Sequence, residues 1–168
     1  MKKLTLLLVF LLCTPMLFAT DIDKLFKKWT KEYPESSTEL WEKHNFTDEE
    51  NQRIAKELGL TGVKGKKATA LETSSATVIA AMKNEMTTCT PAKGFKEILK
   101  KSYPNVLDIY VYAKKDGEEW VEAYLVVFDN KQKKGVAANV TGSIPNSLYE
   151  QYYPMIQMML DQTIAQMK

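Results

Sequence analysis

Three runs of β-forming residues, set close together, limit the folds open to this chain. Val106 to Ala113 and Trp120 to Phe128 are rich in β-branched and aromatic side chains, and Val136 to Val140 is a third such run. Lys115-Asp116-Gly117 separates the first two runs, and the polar stretch Asp129 to Gly135 separates the second from the third. Links this short join antiparallel neighbours, because a parallel crossover needs about a dozen residues or more. The segment therefore predicts an antiparallel meander.

On either side of it the apolar period becomes helical. Ile22, Leu25, Phe26 and Trp29 recur at helix spacing opposite Lys24, Lys27, Lys28 and Lys31, predicting a helix from Asp21 to Tyr33 that Pro34 stops. Glu35 to Thr38 reads as a polar connector. Thr47 and Glu50 form a capping box for a second helix, with Ile54, Ala55 and Leu58 inward and Gly59 closing it. Thr61 to Lys66 reads as a loop and Ala68 to Glu72 as a short strand. Ser74 or Ser75 caps a helix bearing Val78, Ile79, Met82 and Met86. Pro91 opens a further helix through Phe95, Ile98 and Leu99, which Pro104 ends. The last helix opens at Pro145-Asn146-Ser147, and Pro154 kinks it or divides it. Helices before and after consecutive strands indicate an α+β fold, a small antiparallel meander with helices packed on one face.

The N-terminus reads as a signal. Met1-Lys2-Lys3 is basic, Leu4 to Leu12 is apolar apart from Thr5, and Ala19 is a small residue before Asp21. This order fits a secretory signal peptide, residues 1–19, cut near Ala19. Its apolar run is too short for a hydrocarbon core that takes about 20 residues. A lipoprotein signal needs a small residue before its cysteine, and the bulky Leu12 precedes Cys13. Cys13 then leaves with the leader, and the mature chain is expected to be periplasmic or secreted. Of 23 basic and 21 acidic residues, Lys2 and Lys3 lie in the leader, so the remainder is balanced and gives no footing for a nucleic-acid partner. Cys89 is then the one cysteine, so no intramolecular disulfide forms. A single domain, residues 20–168, must rest on its own core, which roughly 150 residues suffice to build.

Few residues suggest chemistry. Cys89 stands just before Pro91, at the head of the expected helix, where a helix dipole lowers a thiol pKa. His44, the sole histidine, is the only imidazole available as its base. The same cysteine also reads as a packed core residue. His44 by itself makes no metal site, and no zinc spacing is present, so neither metal nor cofactor is expected. Asp108, Glu118, Glu119, Glu122 and Asp129 cluster in the meander as possible acid–base partners. Strand alternation places Trp120, Glu122 and Tyr124 on one face, joined by Tyr110 and Tyr112. Exposed, these five side chains would bind a sugar ring or an apolar peptide; equally, they pack under a helix.

The leader is followed directly by DIDKLFKKW (Asp21–Trp29), and much later comes LDIYVYAKKDGEEWVEAYLVVFDNKQKKGVAANVTGSI (Leu107–Ile144). Together these resemble a family of small exported bacterial proteins defined as a domain of unknown function, number 4252. The resemblance implies an α+β fold and the bacterial envelope, and no catalytic residues. The chain departs from the family pattern after the first helix, where the polar segment Pro34 to Phe46 replaces a strand. The expectation is a non-enzymatic binding or interaction module, with a protein, peptide or glycan partner in the envelope. The alternatives are a thiol-dependent envelope enzyme using Cys89 with His44, or self-association through Leu148 to Met167.

Overall fold

A computed structural model describes residues 20–59 and 61–166. The leader, residues 1–19 with Cys13, lies outside the described residues. The elements are α1 (Ile22–Glu32), β1 (Glu39–Asn45), α2 (Asp48–Leu58), β2 (Lys64–Thr73), α3 (Ala76–Thr87), β3 (Phe95–Tyr103), β4 (Leu107–Asp116), β5 (Glu119–Asp129), β6 (Lys134–Pro145) and α4 (Asn146–Gln166). The six strands form one antiparallel sheet in the order β1-β2-β6-β5-β4-β3. The fold class is α+β. The meander β4-β5-β6 is its centre, extended by β3 on one side and by β2 and β1 on the other.

Local chemistry explains most boundaries. The Asp21 carboxylate accepts from Lys24 N at 3.0 Å and caps α1. At α2 the capping box is complete, Thr47 accepting from Glu50 N while Glu50 accepts from Thr47 N. Gly59 ends that helix in the left-handed conformation, φ 64°. Ser75 caps α3.

Three boundaries depart from expectation. The stretch from Pro91 through Leu99 is not a helix: Gly94 turns the chain at φ 83° and Phe95 onward is β3. Phe95, Ile98 and Leu99 carry the helical i, i+3, i+4 spacing because a register slip against β4 inserts one residue between Glu97 and Leu99. The bulge shifts the phase of alternation, so a strand imitates a helix. The polar segment Pro34 to Phe46 contains β1, whose apolar content is low because it is a sheet edge. β2 begins at Lys64, inside the expected loop. Of the two alternatives at Pro154, division is excluded: α4 runs through it as one helix.

The core lies on one face of the sheet. Leu71, Ala137, Val126, Phe128, Tyr124 and Tyr112 rise from four neighbouring strands. Ile22, Leu25, Phe26 and Trp29 of α1 and Met82 and Met86 of α3 cover them. Trp29 Nε1 donates to Glu85 Oε2 of α3 at 2.6 Å, locking the two helices together. The expected packing of helices on one face describes this core-forming pair. α4 lies against the other face: Tyr153 Oη donates to the Ile98 carbonyl at 2.6 Å, and Lys101 pairs with Asp161 at 2.9 Å.

Candidate functional site

The second face is also apolar at the centre of the sheet, on β4, β5 and β6. Along β5, Tyr124, Val126 and Phe128 point into the core, so Val121, Ala123, Leu125 and Val127 point the other way. A sheet with one solvated face would place polar residues there. Instead a cavity of about 320 Å³ opens on this side. Its floor is Val111 and Ala113 of β4, Val121 and Ala123 of β5, and Val140 of β6. Phe46, Ile54 of α2 and Tyr149 in the first turns of α4 complete its walls.

Bulges shape this floor. The ladder slips between Gly65 and Lys67 in β2, between Trp120 and Glu122 in β5, and between Glu97 and Leu99 in β3. Each slip bends its strand and raises the local twist, and Gly65, Val121 and Ile98 beside them all line the cavity. Two glycines permit the close approach. A Cβ on Gly65 would stand 2.7 Å from the Phe46 ring, and one on Gly142 would overlap the Lys64 carbonyl oxygen. The Asn51 side chain holds Gly65 from both sides, donating to its carbonyl at 2.9 Å and accepting from its N–H at 2.7 Å. This clamp fixes α2 against β2 at the cavity wall.

The β5 bulge also divides the expected aromatic face. Trp120 pairs with Lys115 and Ile144, which places it on the cavity side, where its ring meets Tyr149 at a centroid distance of 4.9 Å. Tyr110, Tyr112, Glu122 and Tyr124 stay on the core side. Tyr112 and Tyr124 are buried, and Tyr110 packs against the same cluster. Tyr124 Oη donates to Asp23 of α1 at 2.8 Å, and Glu122 accepts from Asn139 at 2.9 Å. The five residues therefore form no common exposed surface. Strand alternation misplaced Trp120 because nothing in the sequence marks the additional residue at Val121.

Cys89 and His44 are not brought together. Cys89 belongs to the core with Tyr112, whose buried hydroxyl has no hydrogen-bond partner among the described residues. His44 pairs with Ala68 on the edge of the sheet, three positions from the core residue Leu71, and so projects from the opposite face. Its Nε2 lies 3.2 Å from the Glu50 carboxylate. The helix that would have activated Cys89 is a strand. Burial instead pushes the thiol from 9.0 up to about 11. We expect alkylation of Cys89 at pH 8 to be about 100-fold slower in the native protein than in denaturant, since two pKa units reduce the thiolate that much. Equal rates measured by mass spectrometry would show that the thiol is open.

The carboxylates are also dispersed. Asp108 sits at the far end of β4 from Glu122, beside Lys83 at 3.1 Å. Burial presses its pKa upward, but bonds from Ser102, Lys83 and Asn130 together outweigh burial and hold it below the ordinary value. Among the described residues, no group of three or more His, Cys, Asp or Glu is placed to hold a metal ion. Nor is any helix long and apolar enough to cross a membrane. On α4, the expected self-contact, Met155, Ile156, Met158 and Met159 are exposed. No family model, curated protein or solved structure matches this chain.

Proposed function

We propose that the mature chain works outside the inner membrane as a non-enzymatic binding module whose ligand is a small apolar molecule. The observation that carries this reading is the cavity on the second face, about 320 Å³ and walled almost wholly by hydrocarbon. Ligand pockets begin at about this size, roughly 300 Å³. An apolar cavity of about half the volume, roughly 150 Å³, stays dry and takes up benzene. The one carboxylate of the lining, Glu122, is held by Asn139 on the core side of β5.

The test is a titration with an environment-sensitive naphthylamine dye, displaced by a straight-chain alcohol. Saturable one-to-one binding is expected. Ala123→Trp, which places an indole in the cavity, should weaken it by at least about tenfold, because hydrocarbon that stays in contact with water gains nothing from transfer. Circular dichroism should show the variant folded. Absence of saturable binding, or binding that Ala123→Trp leaves unchanged, rejects the reading.

A further inference from the structure

Methionine ordinarily fills gaps in a core, as Met82 and Met86 do. Met155, Met158 and Met159 of α4 depart from that use, at 42%, 54% and 55% exposed. Their spacing is i, i+3 and i+4 on a continuous helix. Met158 and Met159 therefore flank Met155 one turn on, each about 5–6 Å from it at Cβ. The side chains are long and unbranched, so the three sulfurs can converge on one point above that face.

The charged groups of α4 are already engaged. Glu150 accepts from Asn146 at 2.6 Å, and Asp161 takes Lys101 at 2.9 Å together with the Tyr103 hydroxyl. One turn beyond the sulfurs on either side stand the uncharged Gln151 and Gln162. The centre of the face thus offers neutral thioethers beside Ile156. Calcium and magnesium take oxygen, and zinc takes thiolate, imidazole or carboxylate. Thioether sulfur is soft and selects copper(I). Neutral donors also leave the charge of an ion uncompensated, which favours a single charge over a double one.

We propose that Met155, Met158 and Met159 bind one soft monovalent cation, copper(I), on the exposed face of α4. The site is independent of the cavity. Docking of a protein is the competing use of exposed apolar side chains. The face is short for it: Met155 to Met159 climbs about 6 Å of helix, whereas a standard interface takes about 800 Å² from each partner. The other donors that copper(I) would seek are elsewhere, Cys89 in the core and His44 on the β1 border.

The experiment titrates the folded mature chain anaerobically with copper(I), kept reduced by ascorbate, in competition with a weak chromogenic chelator; zinc(II) is the comparison. One copper(I) per chain is expected, and no saturable zinc. Affinity should be level between pH 5 and pH 8, because a thioether has no proton to lose. Met158→Leu should weaken binding at least about tenfold, since even an outer partner of a metal ligand is worth that much. Replacing all three methionines by leucine should abolish it. Leucine matches methionine in helix propensity and volume, so circular dichroism should show these variants folded. Cys89→Ser and His44→Gln should leave binding unchanged. Absence of saturable copper(I) uptake, its survival in the triple leucine variant, or its loss in Cys89→Ser or His44→Gln overturns the assignment. Sedimentation tests the competing use: self-association that the triple variant retains, with no copper(I) bound by the wild type, makes the face a contact surface instead.

Discussion

Trp29→Ala is expected to lower the unfolding free energy by about 4 kcal/mol, within the range of roughly 3–5 kcal/mol for removing a buried tryptophan. Trp29 is 0% exposed and stands at the centre of the α1 stripe, between Leu25 and Phe26 on its own helix and Met82 and Met86 on α3. Two losses combine. The indole volume is emptied among buried neighbours, and the Nε1 bond to Glu85 disappears. Glu85 keeps Lys28 as a partner, so its charge is not left bare and the cost stays within that range. Trp29→Phe retains most of the volume and should cost about 1 kcal/mol for the lost bond plus a fraction for the smaller ring. Urea unfolding separates the two, with the midpoint shifting and the m-value constant. A loss below about 1.5 kcal/mol for Trp29→Ala would mean that the site collapses far more completely than buried tryptophan sites usually do.

Gly142→Ala is the second large effect, and it reaches the cavity. A methyl there meets the Lys64 carbonyl oxygen and lies 3.2 Å from the Gly65 Cα, all backbone of the neighbouring strand. A side chain can rotate away from such an overlap, whereas a paired strand must move as a unit. The expected cost is about 3 kcal/mol, the upper end for overpacking. Because Lys64, Gly65 and Gly142 together line the β2 end of the cavity, the same change should reduce dye affinity. Gly59→Ala is the contrast. No atom lies within 4 Å of its added methyl, and only the left-handed φ of 64° opposes it, so about 1 kcal/mol is expected. Gly142 has no positive φ of its own, so a cost no larger than that of Gly59→Ala would show that the neighbouring strand yields readily to the methyl.

The sequence carried its local signals well and its long-range ones poorly. The capping box at Thr47 and Glu50, the Ser75 cap and the α1 stripe depend on neighbours within one or two turns, and they appear where the residues place them. The meander was equally legible, because β4, β5 and β6 follow one another with short turns. β1 and β3 were not. Each is a border strand whose partner, β2 or β4, supplies the pairing, so its own composition is free to be polar or to imitate a helix. The cavity lay between these cases. Val121, Ala123, Leu125 and Val127 are visibly apolar on the face opposite Tyr124 and Val126, and that doubled pattern signals a sheet covered on both sides. What hid the site was the bulge at Val121, which moves Trp120 across the sheet and has no marker in the chain.

The sheet does not close on itself, and its two borders decide how the folded molecule meets its own copies. Among the described residues β1 offers Glu42, Lys43 and His44, all exposed, and β3 offers Lys96 and Lys100. A second chain adding its β3 antiparallel to the first would bring lysines toward lysines, and every such pair would lose free energy rather than gain it. An open sheet with two apolar faces is the kind of structure that stacks into fibrils unless something forbids it. Here the lysines of β3 and the mixed charges of β1 set a repulsive charge pattern against pairing at both borders.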